Sequence, residues 1–215
     1  AAGFCSLGDV ALHGVRRAAL HIDQSVAVFG LGIVGQLVLQ LARISGAYPL
    51  IAIDLIDERL DLAKKSGATH VINAGREDVV QRIKEITQGV GAEAVFHCAQ
   101  AANILQTAME CAADRGTVIL TGSPPGTATI RLKEELLRKE LIVTGTYERG
   151  LNQAHAYWRW TRERNRRACL RLMASGQLRL DHLLTQIVPA AQAPGIYDMI
   201  LKGSAGWLGI VFKWE

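Results

Sequence analysis

The sequence predicts an α/β fold, a doubly wound parallel sheet of six strands with helices on both faces. Three observations predict it. Six short apolar stretches alternate with helical patterns between residues 26 and 145. The first stretch ends in Gly30-Leu31-Gly32-Ile33-Val34-Gly35, and an apolar helical pattern follows at once. Nineteen residues beyond Gly35 the second stretch ends in Asp54. Strands joined through helices need crossovers, and crossovers cover both faces of a parallel sheet.

Each element has its own local reason. Cys5–Ala19 reads as a lead-in helix. Val26–Phe29 is a β-branched strand, and Ile33–Ser45 the helix after it. Leu50–Ile53 is a second strand. Asp57–Ser66 is helical and stops at Gly67, which tolerates the left-handed cap. His70–Ile72 is a third strand. Glu77–Thr87 places Val80, Ile83 and Ile86 on one helical face. Ala92–His97 is a fourth strand, Ala101–Ala113 a helix and Gly116–Thr121 a fifth strand. Leu132–Lys139 reads as a short charged helix and Leu141–Gly145 as the sixth strand. Leu151–Ser175 reads as one long helix with Ala154, Tyr157, Trp158, Thr161, Ala168 and Leu172 on its apolar stripe. Its other face carries Arg159, Arg162, Arg164, Arg166, Arg167 and Arg171, expected to be a solvated face with long stems over apolar surface. Leu183–Val188 is a strand, Ala190–Lys202 an amphipathic helix and Leu208–Lys213 a last strand. The expected organisation is a lead-in at 1–20, one dinucleotide-binding domain at 21–180 and a return segment at 181–215.

The glycine turn fixes the chemistry. Gly30 permits a tight turn, Gly32 lets backbone approach a pyrophosphate, and Gly35 lets the helix lie close to the sheet. The free N–H groups of that helix, backed by its dipole, favour phosphate. Asp54 is placed to accept from both hydroxyls of an adenosine ribose and to repel a 2′-phosphate, which favours NAD over NADP. Arg59 is in reach of the ribose or the phosphates. In such a sheet ligands sit beyond the carboxyl ends of the strands. That edge collects Gly30, Asp54, Ala99, Thr121, Gly122, Ser123 and Tyr147. The backbone candidates for the cofactor also include Leu31, Ile33 and Val34. A methyltransferase uses a similar glycine turn and acid for a different nucleoside, and that alternative stays open at this point.

Composition narrows the classes. Of 215 residues 49% are hydrophobic and 20% charged, enough apolar material for a core. The formal charge of +4 is mild, and no nucleic-acid motif accompanies the arginines. The four cysteines, Cys5, Cys98, Cys111 and Cys169, are far apart. That spacing fits reduced thiols in a cytoplasmic protein. Val26–Ala42 is too interrupted by glycine and glutamine to span a bilayer. The chain starts at Ala1, and its head reads as the middle of something, so a fragment is expected.

Several stretches resemble the cofactor-binding portion of medium-chain dehydrogenases/reductases of the alcohol, sorbitol and threonine type. They are Leu7 to Arg17, with His13 and Arg16-Arg17; the glycine turn itself; Ala63 to Asn73; Gly116 to Pro125; and the tail around Ser175-Gly176, Leu184-Thr185 and Ile210-Val211. The resemblance covers nearly the whole chain. It implies a Rossmann domain with remnants of a second, GroES-like catalytic domain at its ends. It also implies hydride transfer between a secondary alcohol and a nicotinamide, with a small alcohol or carbonyl substrate. Zinc is possible in the whole enzyme, with Cys5 a speculative ligand. Asp54 matches the NAD-selecting acid, Arg59 its basic neighbour, and Thr121–Ser123 the backbone that faces the nicotinamide. Asp9 stands where a small polar residue touches the nicotinamide, and no basic residue precedes the last strand. A homodimer is expected through Leu141–Gly145. No catalytic residue is named, and His13, His97 and His182 read as structural. The alternatives are a zinc-free quinone or enoyl reductase of the same family, or a solitary nucleotide-binding module.

Overall fold

The computed structural model describes residues 2–147, 158–202 and 207–214. Helix α1 (Cys5–Ala18) leads into β1 (Val26–Phe29), α2 (Ile33–Ile44), β2 (Leu50–Asp54), α3 (Asp57–Ser66) and β3 (His70–Asn73). The second half runs α4 (Val79–Ile86), β4 (Ala92–His97), α5 (Ile104–Cys111), β5 (Ala112–Leu120) and β6 (Ile142–Gly145). After it come α6 (Arg162–Ala174), β7 (Leu184–Pro189), α7 (Ala193–Leu201) and β8 (Gly209–Lys213).

The six expected strands form one sheet in the order β3-β2-β1-β4-β5-β6, with every neighbouring pair parallel. Strand order reverses between β1 and β4, so a crevice opens there at the carboxyl ends. The registers Phe29↔Ile53 and Phe29↔His97 bring three of those ends level.

Alternation along the strands feeds two cores. Val26, Val28, Leu50, Ala52 and Phe96 pack with α1, α2 and α6 on one face. Ala27, Phe29, Ile51, Ile53 and Val95 pack with α4 and α5 on the other. Each side of the sheet is dry, which is why the strands read as continuous apolar runs.

Five expectations need correction. The fourth crossover helix is shorter than Ala101–Ala113, because the Lys139 ammonium donates to the carbonyls of Met109, Glu110 and Ala112 at 2.8, 2.9 and 3.1 Å. Those are the orphan acceptors of a helix end, and satisfying them lets Ala112 turn into β5 opposite Ala92. The charged segment Leu132–Leu137 is π-helical.

The long helix begins only at Arg162. The Thr161 hydroxyl caps it, accepting from the Arg164 N–H at 3.2 Å. Trp158 meets the His13 ring edge-on at 5.4 Å. Ala154 and Tyr157 lie outside the described residues; Ala168 is buried as expected. The arginine face is not wholly solvated either, since Arg162 and Arg166 turn toward the buried carboxylate of Asp9, at 3.8 and 3.6 Å.

In the tail, β7 and β8 form a separate parallel pair. The expected helix Ala190–Lys202 starts as a 3₁₀ turn, and none of the α7 residues is buried.

Candidate functional site

Two cavities lie along the carboxyl edge of the sheet. The larger, about 650 Å³, is lined by Gly30, Gly32, Ile33, Val34, Gly35, Asp54, Arg59 and Ala99. The second, about 560 Å³, is lined by Thr121, Gly122, Ser123 and Tyr147. Of the expected cofactor residues only Leu31 lines neither; its side chain is fully buried in the core. The expected set is thus brought to one edge, divided between two chambers.

The glycine turn is built by sterics. Gly30 has φ +85°, and a Cβ there would stand 2.7 Å from the Ala99 backbone. A Cβ on Gly35 would stand 2.0 Å from the Gly30 carbonyl oxygen. Only glycine lets α2 start this close to β1 and β4. Gly32 differs, for a Cβ there meets nothing within 4 Å. It is the N-cap of α2 and offers no side-chain cap. The open space above it and the uncapped helix N-terminus make a cradle for an anion.

Asp54 is a brace as well as a rim. Its Oδ2 accepts the Leu31 N–H at 2.6 Å, and its Oδ1 accepts the N–H groups of Leu55 and Ile56 at 2.8 and 3.1 Å. The Arg59 guanidinium is 3.8 Å away. Three of the roughly four acceptor positions of a carboxylate are therefore taken by backbone, and a negative charge is fixed at the cavity wall. Behind the turn the buried Gln36 amide donates to the Arg59 carbonyl at 2.9 Å. The Ser66 hydroxyl, 2.8 Å from the Gln36 Oε1, is also 2.8 Å from the His182 Nε2.

The remaining lining was missed by sequence reasoning. Leu7, Cys98, Gln100 and Ile104 wall the larger cavity, and Val10, Thr146 and Arg162 the smaller. Gln100 follows a strand end, a signal that could have found it. Leu7, Val10 and Arg162 arrive from α1 and α6, which no local pattern ties to the sheet edge. Burial pushes the Cys98 thiol up to about 12, which disfavours its thiolate.

Thr121, which lines the smaller cavity, belongs to a group of buried polar side chains together with Asp9 and His13 of α1. Asp9 is fully buried, and neither of its carboxylate oxygens has a hydrogen-bond donor among the described residues. The Thr121 hydroxyl and the His13 Nδ1 are likewise buried without a partner there. Gly14 makes room for Thr121, since a Cβ on it would lie 2.7 Å from the Thr121 Oγ1. Burial, with Arg17 next, holds His13 below the ordinary histidine value. His97, at the end of β4, is also lowered by burial, and its Nε2 is 3.1 Å from the Ala101 carbonyl.

Among the described residues no three His, Cys, Asp or Glu side chains converge as metal ligands. The Cys5 thiol instead faces the Arg166 carbonyl at 3.9 Å. The described residues do not fit a zinc ion by themselves.

Comparison with known proteins agrees with this architecture. D-guloside 3-dehydrogenase of Escherichia coli is 31% identical over 87% of this chain and 53% of its own length. L-threonine 3-dehydrogenase of Pyrococcus horikoshii is 35% identical over 75% of this chain and 43% of its own. Among solved structures, alcohol dehydrogenase TADH from Thermus sp. ATN1 superposes with a TM-score of 0.81 at 26% identity, covering 99% of this chain and 59% of that one. The chain spans about half the length of the curated relatives it matches. A family model described as zinc-binding dehydrogenase matches residues 34–163, which removes the methyltransferase alternative. The chain belongs to the zinc-binding dehydrogenase family.

Proposed function

We propose that this chain is the NAD(H)-binding portion of an alcohol- or polyol-type dehydrogenase, holding the cofactor while a small alcohol or carbonyl compound reacts. The single observation that carries the reading is the cradle at Gly32, open above, uncapped below and rimmed by the Asp54 charge. Gly30 to Gly35 would hold the pyrophosphate, and Asp54 with Arg59 the adenosine ribose. Thr121, Gly122 and Ser123 would face the nicotinamide, which supplies the hydride chemistry when bound. The residues here bind and orient, and we assign no proton transfer to any of them. The relatives' names, dehydrogenases of hydroxyl compounds, support this reading over a quinone or enoyl reductase.

Ile142 and Val143 are exposed on the edge strand β6, which supports a homodimer formed by edge pairing. The four cysteines are free thiols, and no described helix is long and apolar enough to cross a membrane. Both support a cytoplasmic setting.

Nicotinamide fluorescence titration of the full chain tests the cofactor reading. NADH should bind at least about tenfold tighter than NADPH, and Asp54→Ala should narrow that ratio. Equal or tighter binding of NADPH to the native chain would overturn the reading.

A further inference from the structure

Three guanidinium groups crowd one indole between α1 and α6. The Cζ atoms of Arg16, Arg164 and Arg159 lie 3.8, 4.3 and 4.9 Å from the centroid of the Trp160 ring. None of these residues lines either cavity described above. An indole has two faces, and one cation on each uses its quadrupole fully. A third guanidinium must share a side with another, so like charges stand close together.

No acid among the described residues forms a direct ion pair with them, and Asp9 attracts Arg16 only at longer range. Asp9 is engaged by Arg162 and Arg166, and Glu163 by Arg167. Arg164 also sits in the first turn of α6, where the positive end of the helix adds to the repulsion. Arg16 is fixed by donating to the Asn165 Oδ1. Burial, and then the charge of Arg164, hold Arg16 down to about 10, still charged at neutral pH.

A solvated arginine face does not need this arrangement, since free guanidiniums spread apart in water. Here they are stacked and crowded, and an anion seated among them would turn repulsion into attraction. Planar N–H forks match the oxygens of a phosphate group. With its faces covered by arginine, Trp160 offers no platform for a nucleobase, which disfavours a single-stranded nucleic acid.

We propose that Arg16, Arg159 and Arg164, gathered around Trp160, bind a phosphate-bearing anion at a site separate from the glycine turn. The source is either free pyrophosphate or the phosphate ester of a sugar.

The test is calorimetric titration of the full chain with inorganic pyrophosphate and with ribose 5-phosphate, at constant ionic strength, followed in parallel by tryptophan fluorescence. Saturable binding that changes the fluorescence is expected for at least one, and the stronger of the two identifies the source. The double variant Arg159→Gln/Arg164→Gln should weaken it by about tenfold or more, with NADH affinity unchanged. Arg164→Lys keeps the charge but loses the fork, and should give an intermediate loss; it serves alone if the double variant does not fold. No saturation below about 10 mM would overturn the proposal. So would anion binding that survives in the double variant and is displaced by NADH, which would place it at the glycine turn. Tighter, arginine-dependent binding of an oligothymidylate than of either anion would convert the surface into a nucleic-acid contact.

Discussion

The two chambers on the carboxyl edge are built on opposite terms. At the glycine turn the polar side chains are answered, for Asp54 takes three backbone N–H groups and Gln36 is held at both ends of its amide. By contrast, Asp9, His13 and Thr121 hold buried polar atoms with no hydrogen-bond partner among the described residues. Buried polar groups are normally paired. The side chains of the first chamber are paired within the chain while the N-terminus of α2 stays uncapped, whereas those polar atoms of Asp9, His13 and Thr121 have no hydrogen-bond partner among the described residues.

Two glycine substitutions give the largest expected contrast within the first chamber. Gly35→Ala forces a backbone contact of 2.0 Å, and should cost about 3 kcal/mol or more in denaturant unfolding. Gly32→Ala meets open space. It should leave stability within about 0.5 kcal/mol while weakening NADH binding by about tenfold. If Gly32→Ala binds NADH normally, the cradle is misplaced.

The buried carboxylate of α1 is probed by Asp9→Asn. Among the described residues Asp9 is held by charge without a hydrogen bond, at 3.6 and 3.8 Å from arginines with side chains 43% and 35% exposed. Losing a buried pair often costs several kcal/mol, but those guanidiniums can rehydrate, so about 2 kcal/mol is expected. The cost should shrink in about 1 M salt, whereas that of Asp54→Asn, which mainly breaks hydrogen bonds, should shrink less. Equal salt dependence of the two would erase the contrast.

A smaller effect comes with pH. His13 and His97 are held below the ordinary 6.5 by burial. The unfolded chain therefore binds protons first as pH falls. Their contribution is complete above the unfolded value and is lost below it, by at most about 1.4 kcal/mol per pH unit for each. Denaturant unfolding at about pH 7.5 and pH 5.5 measures this, and His97→Gln should flatten the slope. Stability unchanged or higher at the acid end would contradict the burial of neutral imidazoles.

What the sequence reveals follows the same division. The glycine turn, Asp54 and the six strands are legible because spacing along a few dozen residues encodes them. The polar contacts between α1 and α6 are not, because they join distant segments: Arg16 reaches Asn165 across 149 positions, and Asp9 meets α6. The early end of α5 depends on Lys139, some thirty residues away. The overlong reading of α6 has another cause, since Trp158 and Thr161 fit a helical stripe but are recruited by a ring contact and a cap.

Gln40 behaves as one rung of a β ladder. Its amide accepts from the Arg179 N–H at 2.7 Å and donates to the Arg179 carbonyl at 2.9 Å. With His182 against Ser66 and Leu183 fully buried, the polypeptide as far as Leu183 travels with the sheet. Any swing of the β7–β8 ribbon must pivot beyond that residue, and the amide hydrogen of Arg179 should exchange as slowly as those inside α2.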